Sequence, residues 1–327
     1  MSKPKHSAKI IGTGAYVPNK VLTNFDLEKL MDTSDEWIQE KYGIKERRIV
    51  SESDEQNISD LSYKSAVKAL ESANLKPEDL DLIIIASIHS DIKSPATACI
   101  LQGMLGAKNA VAFDMNIGGC PNAVFAMTTA LNFLDGERFK RALVICTEIY
   151  SRFIDWSYRN TACFLGDGSG AVILESCDKE EGVLAYNLYT DGTKHNKAWW
   201  PGGGTKLVPE NEQTPHIEGR DVWEFGNTAT PNVIVETVSD AGLEMEEVDF
   251  VIFHQANVNI INNVMDLIGL PHEKTYMNNY KYGNTGGASS LIALDEAISL
   301  GKIVRGDKLA ICSYGAGLAW GSMVMNY

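Results

Sequence analysis

Three side chains in this sequence carry chemistry by type and setting. Cys120 lies in Asn116-Ile117-Gly118-Gly119-Cys120-Pro121-Asn122, between the apolar runs 110–115 and 123–134. The first run is compact enough for a buried strand, and the second reads as a helix ended by Gly136. Pro121 suits a first helical turn, where its missing N–H leaves nothing unpaired. Cys120 then stands just ahead of the helix, facing unsatisfied amides and the positive end of the dipole. That setting lowers a thiol's pKa and makes it a nucleophile; the same pattern also fits a small buried residue at a strand–helix corner. His254 follows the apolar run 250–253, and Asn284 lies in Tyr282-Gly283-Asn284-Thr285-Gly286-Gly287-Ala288-Ser289. Taken singly, His254 reads as a hydrogen-bonded structural histidine and Asn284 as a turn or cap residue. Taken with Cys120 they form a set suited to nucleophilic catalysis. The turn Ser313-Tyr314-Gly315-Ala316-Gly317 adds N–H groups that could help build an oxyanion hole.

An internal repeat positions these residues. Leu75–Ser87 matches Leu243–Gln255 at an offset of 168, and Gly136–Cys146 resembles Lys302–Cys312 at an offset of 166. The period is too long for a solenoid, and it indicates two halves of one α/β design with apolar strands and crossover helices. The join falls at the charged stretch 178–181, giving a half 1–178 that carries Cys120 and a half 179–327 that carries His254 and Asn284. Cys120 and Asn284 then occupy corresponding helix starts, where α/β sheets gather their ligand sites. Elsewhere, a helix is expected to carry Phe25, Leu27, Leu30 and Met31, and another to start at the Thr33–Glu36 capping box and end at Gly43. The charged stretch 46–57 reads as exposed, 58–74 as an amphipathic helix, and 191–219 as a long surface loop or lid.

Composition narrows the class. The chain has 327 residues, 44% of them hydrophobic, with a net charge of −14, which argues against a general nucleic-acid binder. Its six cysteines show no C-x-x-C pair and no metal-site spacing, the usage of a reducing compartment. The polar, basic stretch Met1–Lys9 lacks the apolar region of a signal peptide, and no run approaches a membrane span, so a cytoplasmic location is expected.

The ordered motifs resemble those of β-ketoacyl-acyl-carrier-protein synthase III, in the thiolase superfamily. They run from Ile11-Gly12-Thr13-Gly14 through 33–38, 43–48, Cys120, Phe164–Ala171, His254-Gln255-Ala256-Asn257 and Gly283-Asn284-Thr285 to Gly315–Ser322. The resemblance implies a thiolase-like five-layered αβαβα fold with internal duplication, in a homodimer. It implies that Cys120 takes an acyl group from a thioester, typically acyl-CoA, with the Cys120 and Ala316 N–H groups holding the thioester oxygen. His254 and Asn284 would hold the carbonyl of a malonyl thioester as it decarboxylates to an enolate. Trp37, Arg159 and Asn257, with Lys41 near, would line the route for pantetheine and CoA. The implied partners are acyl-CoA, a malonyl thioester and acyl carrier protein; no cofactor beyond acyl-CoA as substrate and no metal are implied. A thiolase would need a second cysteine where Ser313 stands, and Cys312 should face the other side of its strand.

Some residues depart from the family pattern. Gly-Gly precedes Cys120 and Pro-Asn follows it, and Ser94 stands where an aromatic often limits the partner's acyl pocket. Glu224 and Asn259 replace residues that are often basic and dock the acidic carrier. An acyl pocket roomier than acetyl needs, or differently shaped, is therefore expected. The alternatives are a specialised ketosynthase-like enzyme using malonyl-CoA or a β-keto thioester, transfer of the acyl group to oxygen or nitrogen, and a non-catalytic thiolase-fold subunit.

Overall fold

The computed structural model describes residues 7–327 apart from Glu52, Asp135, Glu210 and Asn211; the stretch Met1–His6, part of the basic start, lies outside the described residues. In chain order the first half holds β1 (Ser7–Tyr16), β2 (Lys20–Thr23), α1 (Asn24–Leu27), α2 (Asp35–Tyr42), β3 (Glu46–Ile49), α3 (Ile58–Ala73) and β4 (Leu82–Ala86). It continues with α4 (Thr97–Leu105), β5 (Val111–Met115), α5 (Asn122–Phe133), β6 (Arg141–Glu148), α6 (Arg159–Ala162) and β7 (Gly168–Cys177). Then come β8 (Val183–Thr190), β9 (Ala198–Trp199), β10 (His216–Ile217), α7 (Gly219–Asp240), β11 (Phe250–Phe253) and α8 (Val258–Ile268). The chain closes with α9 (Asn279–Tyr282), α10 (Ala288–Ser299), β12 (Lys308–Gly315) and β13 (Ala319–Asn326).

The repeat is visible in the topology. One sheet has the order β1-β7-β6-β4-β5 and the other β11-β12-β13-β8. In both, a parallel pair (β4 with β6, β11 with β12) is followed by antiparallel neighbours. A parallel bridge between Val251 and Thr275 stands where β5 pairs with β4 in the first sheet.

Strands β4, β6, β11 and β12 read as apolar runs because both faces are covered; β5, expected as a buried strand, is instead an edge strand with Val111 and Asp114 exposed. Leu82 and Ile84 join Val124 and Met127 of α5, Leu291 and Leu294 of α10, and Ile252 and Ile311 of the second sheet in one core. The alternate residues Ile83 and Ile85 pack outward on Leu61 and Ala66 of α3 and Leu101 of α4. Val251 and Phe253 likewise pack on Ile234 of α7 and Val264 of α8. The result is helix, sheet, helix, sheet, helix: the five-layered αβαβα arrangement, with α5 and α10 central.

Three local expectations change. The helix expected through Met31 is the single turn α1, capped by Thr23 with Asp26; Phe25 and Leu30 are exposed, so no continuous apolar face supports a longer one. In α2 the cap is Ser34, whose Oγ accepts the Trp37 N–H at 3.1 Å, and Gly43 ends the helix in the left-handed region. The charged stretch is not all exposed either. β3 draws Arg47 fully inside, where its guanidinium donates to Asn24 Oδ1 at 2.9 Å and to the carbonyl of Cys163 at 2.5 Å.

The first sheet meets α3 through Gly12 and Gly14. A Cβ on Gly14 would lie 2.5 Å from Ala69 N and 2.8 Å from Lys68 Cβ, and closer still to Ser65 O. Gly14→Ala is therefore expected to destabilise the fold by about 1–3 kcal/mol, read as a lower urea midpoint. An unchanged midpoint would contradict this packing.

Candidate active site

The loop between β5 and α5 is tied by its own side chains. Asn116 Oδ1 accepts the Gly118 N–H at 2.8 Å and Asn122 Oδ1 accepts the Ile117 N–H at 2.9 Å. Gly118 and Gly119 have φ of +107° and +80°, a region L side chains avoid. A Cβ on Gly118 would lie 2.8 Å from Ala316 O, and one on Gly119 would lie 3.0 Å from Tyr150 Oη. The Gly-Gly departure before Cys120 thus makes room for the C-terminal turn on one side and for Tyr150 on the other. Cys120 precedes the first turn of α5, with Pro121 at its N-cap.

The thiol's acidity differs from the sequence expectation. Although Cys120 keeps some accessible surface, its sulfur is enclosed, and burial pushes the thiol up to about 12. The charge of Glu148 adds to the rise, while the contact with Asn284 opposes it. The helix start places the sulfur among amides, but desolvation of a thiolate outweighs that help. At rest Cys120 is a neutral thiol.

Asn284 faces it from the other half. Its Nδ2 lies 3.9 Å from Cys120 Sγ. Its Oδ1 accepts the Gly286 N–H at 2.8 Å and lies 4.0 Å from the same sulfur, so the amide meets the thiol with both its atoms. The loop is anchored by Asn284 N–H to Phe164 O at 2.7 Å and by Gly166 N–H to Asn284 O at 3.0 Å. Arg47 lies directly beneath: a Cβ added to Gly166 or Gly283 would sit 3.2 or 3.4 Å from its Cβ.

His254 leaves β11 with its N–H on Cys312 O at 2.9 Å. Its ring is 5.8 Å from that of Tyr314, edge to face. Nδ1 lies 2.7 Å from Ser289 Oγ, which also accepts the Gln255 N–H at 3.0 Å. Ser289, in the first turn of α10, thereby ties His254 to the Asn284 loop. Its role was missed in the sequence because a serine at a helix start reads as an ordinary cap. Burial brings the imidazole down to about 4, against a backbone hydrogen bond with Gly286. His254 is neutral at working pH.

The expected substrate residues fall into two pairs. The Arg159 guanidinium lies over the Trp37 ring at 4.4 Å and donates to Asp32 O at 3.0 Å. Asn257 donates to Lys41 O at 3.1 Å while its Oδ1 caps α8 through the Asn259 N–H at 2.9 Å. Trp37 meets Tyr42, and Tyr42 meets Phe164, whose carbonyl anchors Asn284. Ser94 is exposed in the 90–96 segment. Ala316 abuts Gly118, and the Cys120 N–H is turned to Gly118 O at 3.2 Å, a contact that a thioester oxygen would replace. Cys312 packs outward with Val251 and Phe253, away from this site. Among the described residues no cluster of His, Cys, Asp or Glu is suited to hold a metal ion. No helix among them is long and apolar enough to cross a membrane.

Known proteins share this plan. The family model 3-oxoacyl-[acyl-carrier-protein (ACP)] synthase III matches residues 113–192, and its C-terminal counterpart matches 238–327. The β-ketoacyl-[acyl-carrier-protein] synthase III of Caldanaerobacter subterraneus is 43% identical, over 99% of this chain and 98% of that one. The namesake enzyme of Clostridium acetobutylicum is 41% identical, over 98% and 99%. The crystal structure of 3-oxoacyl-[acyl-carrier-protein] synthase III from Aquifex aeolicus superposes with a TM-score of 0.91 at 41% identity, covering 98% of this chain and all of that one. Fold and relatives together define an acyltransferase of the thiolase fold. Within that class, the chain belongs to the 3-oxoacyl-[acyl-carrier-protein] synthase III family.

The buried imidazole links stability to pH. Unfolded, His254 takes a proton below its ordinary value of 6.5; folded, it does so only below about 4. Between those values the unfolded chain holds the extra proton, so this contribution is complete above 6.5 and drains away as pH falls to about 4. The full drop is about 3 kcal/mol. The urea midpoint of the native protein is expected to fall more steeply from pH 6.5 to 4.5 than that of His254→Gln; parallel curves would contradict a desolvated histidine.

Proposed function

We propose that the chain transfers an acyl group from acyl-CoA to Cys120 and condenses it with malonyl-acyl-carrier protein. The observation that carries the reading is Asn284 Nδ2 at 3.9 Å from Cys120 Sγ, in a chain 43% identical to a named synthase of this kind. In the first half-reaction Cys120 Sγ bonds to the acyl carbon, the carbon–sulfur bond to CoA breaks, and the thiol proton ends on the CoA sulfur. The N–H groups of Cys120 and Ala316 receive the oxyanion. In the second, the thioester carbonyl of the malonyl group accepts from Asn284 Nδ2–H and from His254. Its carboxylate leaves as CO₂, and the electrons of the broken bond form an enolate. The enolate attacks the acyl-Cys120 carbon, releasing a 3-oxoacyl thioester and a Cys120 thiolate that takes up a proton. These steps use two thioesters and no further cofactor.

A buried site with neutral partners favours this order. A neutral imidazole and an amide act as hydrogen-bond donors without adding a fixed charge that would hold the malonyl carboxylate in place. Trp37, Arg159, Lys41 and Asn257 are assigned to the pantetheine route, and the ring contacts from Trp37 to Phe164 lead toward the Asn284 loop. The halves 1–178 and 179–327 are read as the two copies of the duplicated unit, contributing the nucleophile and the enolate-stabilising pair. A homodimer is supported by β5, the last strand of its sheet, where Val111 is 44% exposed on a free edge. In such a dimer Ser94 would face the partner's acyl pocket. A cytoplasmic location accords with the free cysteines.

The two half-reactions separate the roles. Cys120→Ala is expected to abolish both. His254→Ala and Asn284→Ala are expected to keep formation of the acyl-cysteine while CO₂ release and condensation fall about 100- to 1,000-fold. Intact-mass analysis reads the first step and trapped CO₂ the second. Condensation at native rates in either variant would contradict the assignment.

A further inference from the structure

Tyr150 follows β6 and turns back toward the nucleophile. Its ring is fixed on several sides: Trp200 stacks on it at 5.7 Å, and His89 meets it edge to face at 5.8 Å. His89 is held in turn, 3.1 Å from Glu148 Oε2 and stacked on Phe153 at 4.5 Å. The hydroxyl therefore has one place to go, the seam between Gly119 and Gly286. A Cβ on Gly119 would lie 3.0 Å from Oη and 3.3 Å from an Ile88 methyl, and a Cβ on Gly286 would overlap Oη outright. These glycines adjoin Cys120 and the Asn284 loop. Tyr150 and Ile88 thus shape the space beside the sulfur and narrow it on this side.

The hydroxyl is the unusual part. Tyr150 is only 4% exposed, yet its Oη makes no hydrogen bond among the described residues. Burial, with the nearby charge of Glu148, pushes its ionisation well above the ordinary tyrosine value, so it keeps its proton and is a donor. Phenylalanine would fill the same space without presenting an unpaired donor beside Gly119 and Gly286. A bound ligand with an acceptor at this point would pair with it. The thioester oxygen is not that acceptor, because it is assigned to the N–H groups of Cys120 and Ala316.

We propose that Tyr150 selects the acyl group loaded on Cys120: a short acyl group with an oxygen on its third carbon, hydroxyl or keto, that accepts from Tyr150 Oη–H. The hydroxyl abuts the residue directly before Cys120, which puts the acceptor near the start of the acyl chain, and Ile88 packs against the same glycine. The assignment rests on the acyl-Cys120 reading. The loading step keeps its balance: the Sγ–acyl bond forms, the CoA–acyl bond breaks, and the thiol proton ends on CoA.

The test compares acetyl-CoA, butyryl-CoA and 3-hydroxybutyryl-CoA on the full-length protein, with acyl-Cys120 followed by rapid quench, intact mass and peptide mapping. The expected result is loading of 3-hydroxybutyryl at least about tenfold faster than butyryl, since a site built to bond a hydroxyl discriminates against the analogue lacking it. In Tyr150→Phe the ratio should fall to near one; a ratio is insensitive to any general loss of rate. Equal rates in the native protein, or an unchanged ratio in Tyr150→Phe, would overturn the proposal while leaving acylation of Cys120 intact. Failure of all three thioesters to label Cys120 would overturn the underlying reading and this proposal with it.

Discussion

The site depends on how closely two backbones approach each other across Cys120. The loop 116–120 comes from the first half; the Asn284 loop and the 315–317 turn come from the second. They meet with glycine at nearly every contact. A Cβ on Gly315 would lie 2.6 Å from Cys120 Cβ, and one on Gly287 would lie 2.8 Å from Asn122 Cβ and 2.9 Å from Gly119 O. A side chain at either position would force the halves apart and lengthen the 3.9 Å separation between the Asn284 amide and the sulfur. The duplicated sheets, with α5 and α10 sharing one core between them, hold that seam closed.

Closing the seam removes water, and this sets the electrostatics. The thiol is raised to about 12 and the imidazole lowered to about 4, so the resting pair is neutral. In a poorly solvated space, charge is most favourable where donors are already aimed at it. Asn284, oriented by the Gly286 N–H, and His254, held by Ser289, are the donors proposed for this role. Catalysis is therefore assigned to preorganised hydrogen bonds that meet developing negative charge, with no standing Cys–His ion pair.

Much of this was legible in the chain. The duplication could be read because 75–87 and 243–255 keep their apolar spacing, and both segments fold as a short turn feeding a buried strand. Cys120, His254 and Asn284 could be singled out because each follows an apolar run or precedes one, and the fold brings Cys120 and Asn284 together. What escaped detection depends on tertiary contact. Arg47 sits in a charged run that reads as solvated, but pairing of β3 with β2 carries it inward to carbonyl partners. The helix-start argument for an acidic thiol omitted desolvation, which only the folded surroundings disclose. Tyr150 and Ser289 are unremarkable in sequence, an aromatic after a strand and a serine in a helix turn. Their meaning comes from Gly119, Gly286 and His254, which are distant in the chain.

The central claim is that an acyl group rests on Cys120 and leaves it as a carbon–carbon bond forms. A pulse-chase measures this directly. The protein is loaded with isotopically labelled acyl-CoA, freed of CoA, and then given malonyl-acyl-carrier protein in a single turnover. The account predicts that label mapped to Cys120 moves to a 3-oxoacyl thioester with one CO₂ released for each label transferred. Label that stays on Cys120 through the chase, or reaches product without ever residing there, would contradict it.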